Sequence, residues 1–213
     1  MKSVPENKFE IIRMPPENTN SMLVCHGDEC VIFDAWGRAE DWIRLIDARG
    51  LKLRAIYSTH GHPDHISAAH DLSQKYNVPW YLNRADWDLL GWGGELLDFF
   101  GMARISSDAR PTDITPGVYQ VLPGMKMHAI STPGHSAGAM TFWFPDFQIL
   151  LTGDTLFRDS VGRCDFPGGD ADALRQSISQ IYNMNLDDAV YVVSGHGLDS
   201  TIGILKTENK WFC

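Results

Sequence analysis

The chain has 213 residues, of which 44% are apolar, enough for one sizeable core but too few for two ordinary domains and a linker. Its 27 acidic and 18 basic residues give a net charge of −9, which would repel nucleic acid. Apolar runs such as residues 31–36 stop far short of the roughly 20 residues that a membrane span needs. We therefore expect one soluble domain over residues 1–213, with neither nucleic acid nor a membrane as partner.

Apolar runs and helical spacing alternate in the first part of the chain. We predict strands at residues 9–14, 22–26, 30–35, 51–58 and 78–82. The Gly27-Asp28 dipeptide predicts a tight turn that joins the second and third strands in a hairpin. Helical spacing predicts helices over residues 39–49 and 66–76, with a polar loop before the second helix.

Residues 83–109 are rich in tryptophan, leucine and phenylalanine around Gly91, Gly93 and Gly94. One interpretation is a mobile apolar helical insert, and the other is an ordinary pair of core helices. Both interpretations predict helices in this segment.

The second part of the chain repeats the order of strands followed by a helix. We predict strands at residues 118–122, 125–131, 139–144, 148–152 and 189–193, and a helix over 170–182. Two sheets packed face to face, with helices outside, satisfy this repeated pattern. The sequence therefore predicts an α/β fold.

The cysteines and the first residues bear on the cellular compartment. The four cysteines are Cys25, Cys30, Cys164 and Cys213. No two of them form a C-x-x-C pair, so we expect free thiols, although Cys25 and Cys30 could face each other across the hairpin. Residues 1–10 lack the apolar stretch of a secretory signal, so we expect a cytoplasmic protein.

Residues 59–65 read Thr-His-Gly-His-Pro-Asp-His and follow a predicted strand. The segment offers four potential metal ligands, which are His60, His62, Asp64 and His65. Imidazole and carboxylate groups are the ordinary protein ligands of zinc and non-haem iron. A purely structural role would require several titrating imidazoles to be buried or to repel one another in one loop. We therefore interpret the segment as metal-binding.

Three later residues share a context with this loop, namely His135, Asp154 and His196. Each comes just after a predicted strand and beside a glycine, which lets the backbone approach closely. Each residue alone has an alternative interpretation as a turn residue. Together with the loop they make seven donors at the same ends of strands, whereas one tetrahedral site would need only three or four.

In this order the motifs resemble those of the metallo-β-lactamase superfamily, which carries H-x-H-x-D-H, a separate histidine, a Gly-Asp pair and a last histidine. The resemblance spans residues 59–197 and implies an αββα sandwich of two mixed sheets with helices outside. It implies one ion held by His60, His62 and His135, and a second ion held by Asp64, His65 and His196, with Asp154 bridging both. Zinc is the expected divalent metal, with iron and manganese as alternatives.

Residues 153–157 and 162–169 resemble the glyoxalase II-type branch, which hydrolyses thioesters such as S-lactoylglutathione. The aspartate at the bridging position favours that branch, because true β-lactamases usually carry cysteine or serine there. Glyoxalase II enzymes proper add a helical domain with glutathione contacts, whereas only 17 residues follow His196. The resemblance thus implies a short glyoxalase II-like hydrolase of a small thioester, with the acyl group and the thiol left open.

The resemblance also assigns two residues outside the ligand set. Arg163 aligns with a basic residue that contacts substrate, and either pairs with a substrate carboxylate or stays solvated. Asp34 corresponds to an acidic residue beneath the metal loop and either orients a ligand histidine or caps a turn. We expect structural or solvent-facing roles for the remaining histidines, which are His26, His70 and His128.

The mechanism implied by the resemblance uses water shared by two ions. Two divalent ions roughly 3.5–4 Å apart lower the pKa of that water towards about 7, so that hydroxide attacks the thioester carbonyl. Asp64 would position the hydroxide. One alternative is a persulfide dioxygenase with a single iron on the same scaffold, and another is a non-catalytic binding module, although no ligand is missing. The oligomeric state is left open.

Overall fold

The structure is a computed structural model, and it describes residues 7–15 and 19–212. One sheet contains, in spatial order, β1 (Asn7–Ile12), β2 (Ser21–His26), β3 (Glu29–Phe33), β4 (Lys52–Tyr57) and β5 (Trp80–Tyr81). The other sheet contains, again in spatial order, β6 (Gly117–Leu122), β7 (Met125–Ser131), β8 (Met140–Phe144), β9 (Ile149–Gly153), β10 (Tyr191–Ser194) and β11 (Ser200–Thr201). Both sheets combine antiparallel with parallel pairs.

The helices lie between and after these strands. They are α1 (Ala39–Ala48), α2 (Pro63–Ile66), α3 (Ala69–Tyr76), α4 (Gly94–Phe99), α5 (Ala171–Asn183) and α6 (Ile202–Glu208). Two 3₁₀ helices are formed by Arg84–Gly91 and Pro145–Phe147.

Alternation along the strands divides the core into layers. On β2, Met22 and Val24 face the second sheet, whereas Leu23 and Cys25 face the helical layer of α1 and α3. On the outer face of the second sheet, Leu150 packs in one buried cluster with helices α5 and α6. The result is the predicted αββα sandwich, so the expected fold class is confirmed.

The direction of the strands brings several loop starts to one edge. Strands β7 and β9 both pair antiparallel with β8, so they run in the same direction, and β10 runs parallel to β9. The segments that follow these three strands therefore leave the sheet at one edge. The segment after β4 joins them there, because the amide of Met140 donates to the carbonyl of Thr59 at 2.8 Å.

Most predicted elements are present within a few residues of the expected bounds. The β2–β3 hairpin is confirmed, and Cys25 lies opposite Cys30 in its register, with both thiols buried and free. The helix predicted over residues 66–76 is present as α3, which begins three residues later at Ala69. The short helix α2 was not predicted, and it begins at Pro63 because proline suits the first turn of a helix. No element was predicted after residue 193, where β11 and α6 follow. The expectation about residues 1–6 and Cys213 lies outside the described residues.

The segment 83–109 combines both of its sequence interpretations. Leu97, Met102 and Ala109 are buried in the same cluster as helices α1 and α3. Trp92 and Leu96 instead line a cavity.

Among the described residues, no helix is long and apolar enough to cross a membrane.

Candidate metal centre

The seven predicted ligands meet at the shared edge of the two sheets. They follow β4 (His60 and His62), lie on α2 (Asp64 and His65), or follow β7 (His135), β9 (Asp154) and β10 (His196). Within the described part of the chain, donor atoms lying within 4.8 Å of one another form three groups: His60 with His62 and His135, Asp64 with His65 and His196, and His60 with His65 and Asp154. The first two groups are the ligand sets that the resemblance implied.

Asp154 lies between the two groups. Its Oδ2 atom is 3.6 Å from Nε2 of His135 and also 3.6 Å from Nε2 of His196. Its Oδ1 atom is 3.4 Å from Nε2 of His65. One carboxylate thus faces both groups, which is the arrangement required of a bridging ligand.

Hydrogen bonds fix the outward nitrogen of three histidines. Nδ1 of His60 bonds Thr59 Oγ1 at 3.0 Å, Nδ1 of His65 bonds Asp34 Oδ2 at 3.0 Å, and Nδ1 of His135 bonds the Arg163 carbonyl at 2.8 Å. A neutral imidazole that donates through Nδ1 keeps a lone pair on Nε2. These contacts therefore aim the Nε2 lone pairs into the cluster, as outer partners of metal ligands do.

Several inward atoms lack a partner within the protein. Among the described residues, Nε2 of His60 and Oδ1 of Asp154 are buried without a hydrogen bond, and Nδ1 of His62 lies 2.9 Å from Nε2 of His135. Nε2 of His65 lies 3.3 Å from Nε2 of His196, so two ring nitrogens face each other. Buried polar atoms without a partner are costly, and bound cations would satisfy these acceptors. The donor set fits two divalent ions.

Burial keeps part of the cluster neutral, and carboxylates keep part of it charged. Burial lowers the pKa of His62 to about 3, with the neighbouring His135 adding to the effect. Burial also lowers the pKa of His60 well below its ordinary value. Burial would lower the pKa of His65 too, but Asp154 and other carboxylates raise it to about 10. The second group therefore has more carboxylates around it, and their negative charge favours a cation.

Gly195 allows the side chains of Asp154 and His65 to lie against the backbone beside His196. A Cβ atom at Gly195 would lie 2.0 Å from Oδ1 of Asp154 and 2.6 Å from Cε1 of His65. Those distances are far below van der Waals contact. The glycine beside His196 is therefore required by the approach of two other ligands.

Asp34 ties the first ligand loop to the strand beside it. Its carboxylate accepts hydrogen bonds from the Thr59 amide at 2.7 Å, from Thr59 Oγ1 at 2.9 Å and from His65. Its backbone has φ +52°, a left-handed conformation that aspartate and asparagine tolerate better than most residues. The position agrees with the expected orienting role and also with a turn.

Asp86 was missed by the sequence analysis. It is fully buried, and its carboxylate accepts hydrogen bonds from the amide of Gly61 at 2.9 Å, from Oγ of Ser136 at 2.7 Å and from the amide of Gly138 at 2.6 Å. It thus joins the loop of His60 and His62 to the loop of His135. Burial raises its pKa above the ordinary value, although the three hydrogen bonds oppose the shift.

A cavity of about 980 Å³ opens above the cluster. His62, Asp64, His135, Asp154 and His196 reach it, and Trp92, Leu96, Phe157 and Phe166 contribute apolar walls. Arg163 also lines the cavity, but its guanidinium pairs with Asp165 through two contacts of 2.6 Å and lies 3.9 Å over the ring of Phe166. Arg163 therefore already has an anionic partner. The histidines outside the motif, His26, His70 and His128, belong to no potential metal group among the described residues.

Comparison with known proteins gives a family match and structures of the same fold. The family model described as the metallo-beta-lactamase superfamily matches residues 14–196. A hydroxyacylglutathione hydrolase, GloC from Haemophilus influenzae, is 34% identical, with 95% of this chain and 97% of the relative covered. The structure of BLEG-1, described as a B3 metallo-beta-lactamase, has a TM-score of 0.85 and 29% identity over 96% of this chain and 99% of its own. The structure of TTHA1623 in a di-iron-bound form has a TM-score of 0.83 and 30% identity over 95% of this chain and 99% of its own.

We predict that the protein binds two divalent ions per chain, because two donor groups share the carboxylate of Asp154. Elemental analysis of protein purified without chelators should approach two ions of zinc, iron or manganese. A firm value of one ion that added metal does not change would contradict this prediction.

Replacing Asp34 should weaken metal binding by about 10–100-fold, since the carboxylate orients His65. Asp34→Asn is the informative variant, because asparagine also tolerates the left-handed backbone. Metal affinity is measured by competition with a chromophoric chelator. If Asp34→Asn and Asp34→Ala both bind metal like the wild type, Asp34 serves only the turn.

Asp86→Ala should lower the free energy of unfolding by about 2–4 kcal/mol, because it leaves buried donors without an acceptor. It should also weaken metal binding, because the two ligand loops lose their connection. Asp88→Ala, an exposed aspartate on the same 3₁₀ helix, removes the same charge and is the matched control. Equal unfolding curves and metal affinities for the two variants would refute this role.

Proposed function

The chain belongs to the metallo-beta-lactamase superfamily, and on that basis we propose that it is a metal-dependent hydrolase of small thioesters. The observation that carries the proposal is the convergence of seven metal-capable side chains, five of which line a largely apolar cavity. Such a cavity can exclude bulk water from the reacting carbonyl while the polar groups orient it.

The donors divide into two holding sets. His60, His62 and His135 would hold one ion, Asp64, His65 and His196 would hold the other, and Asp154 would contact both. We propose zinc, with iron and manganese as alternatives that the same nitrogen and oxygen donors accept. Two divalent ions would supply Lewis acidity, which lowers the pKa of water and polarises a carbonyl oxygen.

Water is the nucleophile that the cavity supports best. Its lining, within the described residues, contains no serine, threonine or cysteine that could form an acyl-enzyme. Asp64 lies at the cavity wall, and its Oδ2 is 3.0 Å from Nε2 of His196. Burial would raise the pKa of Asp64, but His65 and His196 lower it, so the carboxylate stays ionised and can accept a hydrogen bond from water.

A thioester suits this site because of its leaving group. A thiol has a pKa near 8.5, so a thiolate leaves without first receiving a proton. The protein then needs no general acid at the sulfur atom. An amide nitrogen, by contrast, must be protonated as it leaves.

Sequence similarity supports a thioester in preference to a β-lactam. The relative from Haemophilus influenzae is named for the hydrolysis of hydroxyacylglutathione, a thioester. BLEG-1 is described as a β-lactamase, so β-lactams belong in the substrate panel. The aspartate at position 154, where true β-lactamases usually carry cysteine or serine, favours the thioester.

The persulfide dioxygenase is the competing enzymatic function. It would use one iron and consume oxygen, whereas the two donor groups around Asp154 favour two ions. Iron content and oxygen uptake with glutathione persulfide separate the two functions. Stoichiometric iron together with oxygen uptake would show that the protein is an oxygenase and not a hydrolase.

Asp154→Ala should reduce metal-dependent thiol release to background, because it removes the carboxylate that faces both donor groups. Arg163→Ala should act chiefly on KM, since Arg163 lines the cavity but contacts no donor group through its side chain. Thiol release from S-lactoylglutathione and simpler acyl thioesters is measured with and without chelator. Turnover that persists after metal removal, or an Asp154→Ala variant as fast as the wild type, would disprove the proposed function.

A further inference from the structure

A second cavity borders the cavity above the metal centre at His196, and we call them the second arm and the main arm. This second arm has a volume of about 380 Å³ and shares Phe157 and His196 with the main cavity. The two arms meet beside the second donor group. A thioester has an acyl part and a thiol part on opposite sides of one carbonyl, so a two-armed groove matches its shape.

The main arm is aromatic where it touches the metal ligands. The ring of Trp92 lies 5.2 Å from the ring of His62 and 4.9 Å from the ring of Phe166. Phe166 in turn lies 5.6 Å from His62. Both aromatic residues are half-buried, so a ligand can still cover their exposed parts. An apolar group bound here would gain by removing this area from water.

The arginines of the groove are already paired. Arg163 contacts Asp165 at 2.6 Å, and Arg158, in the second arm, contacts Glu208 at 2.9 Å. The guanidinium of Arg104, also in the main arm, bonds Asp98. Among the described residues that line the two arms, these three arginines are the basic side chains other than histidine.

Apart from the metal ligands, further acidic side chains give the two arms a net negative charge. Glu95 lines the main arm and Asp159 lines the second arm. They come in addition to the three carboxylates that neutralise the arginines. A substrate carboxylate would have to displace one of these partners and would then face the remaining acidic groups.

From these observations we infer the substrate class: a small thioester with an apolar acyl group bound against Trp92 and Phe166, and with a thiol part that carries no net negative charge. The inference rests on the proposed function. It makes glutathione, which has more carboxylates than ammonium groups, a poorer thiol part than an uncharged thiol of similar reactivity.

The test uses four thioesters in a two-by-two design. The acyl group is lactoyl or isobutyryl, which differ by a hydroxyl against a methyl group, and the thiol is glutathione or the uncharged N-acetylcysteamine. Each kcat/KM is divided by the rate of hydroxide-catalysed hydrolysis of the same compound, which removes differences in intrinsic reactivity. We expect isobutyryl to be preferred over lactoyl by about 10-fold. We expect the corrected kcat/KM of each N-acetylcysteamine thioester to exceed that of its glutathione counterpart.

Two variants test the two halves of the inference in the metal-loaded enzyme. Trp92→Ala should reduce the preference for isobutyryl, whereas Phe99→Ala, which removes an 81% exposed aromatic side chain of the same segment, should not. Asp165→Asn leaves Arg163 without its partner and should raise the ratio of glutathione to N-acetylcysteamine rates by about 2- to 5-fold. Asp146→Asn is the control, an exposed aspartate in the segment between β8 and β9.

The outcomes distinguish this inference from the proposed function. Metal-dependent hydrolysis that is fastest for S-lactoylglutathione after the correction would overturn the substrate class and leave the thioesterase intact. An acyl preference unchanged in Trp92→Ala would overturn the aromatic arm, and an unchanged thiol ratio in Asp165→Asn would overturn the role of charge. Absence of hydrolysis for all four compounds would overturn both proposals.

Discussion

The structure depends on the packing of five imidazoles in one cluster, of which four are buried and that of His196 is partly exposed. The ring of His60 has its centroid 4.1–4.8 Å from those of three other histidines, and its buried Nε2 atom has no hydrogen-bond partner among the described residues. Burial suppresses protonation of His60 and His62, so these rings present lone pairs and not positive charges. A buried group of lone pairs is unstable unless a cation completes it. The surrounding features can be understood as means of holding this arrangement.

Two aspartates outside the ligand set hold the loops from opposite sides. Asp34 fixes the backbone of Thr59 and the ring of His65 from the side of the first sheet. Asp86 accepts from Gly61 and Gly138 and thereby joins loops that come from different sheets. Glycine is needed at both contacts, since a Cβ atom would lie 2.9 Å from Asp86 at Gly61 and 2.7 Å from it at Gly138. The segment 83–109 therefore supports the ligands through Asp86 as well as lining the cavity.

Local signals made much of the fold and the ligand set predictable. The β2–β3 turn is determined by two neighbouring residues, and the dense histidine motif has few structural explanations. Asp86 was not predictable because a single aspartate within an apolar segment resembles a solvent-facing residue, and its partners are 25 and 52 residues away. The same limit applies to Arg163: the sequence left substrate contact and a solvated side chain as alternatives, whereas the pair with Asp165 depends on the course of the loop. The predicted helix bounds differed most from the structure at helix α2, which proline starts inside the histidine motif of residues 59–65.

The origin of the ligands also has a consequence for folding. Since His60 follows a strand of one sheet while His135, Asp154 and His196 follow strands of the other, an ion held by His60 and His135 would cross-link the two halves of the sandwich. A ligand that binds only the folded chain at 100 times its Kd adds about 2.7 kcal/mol to the free energy of unfolding. The resistance of this protein to heat would then vary with the concentration of free metal around it, and scarcity of that metal would leave fewer folded molecules to be activated later.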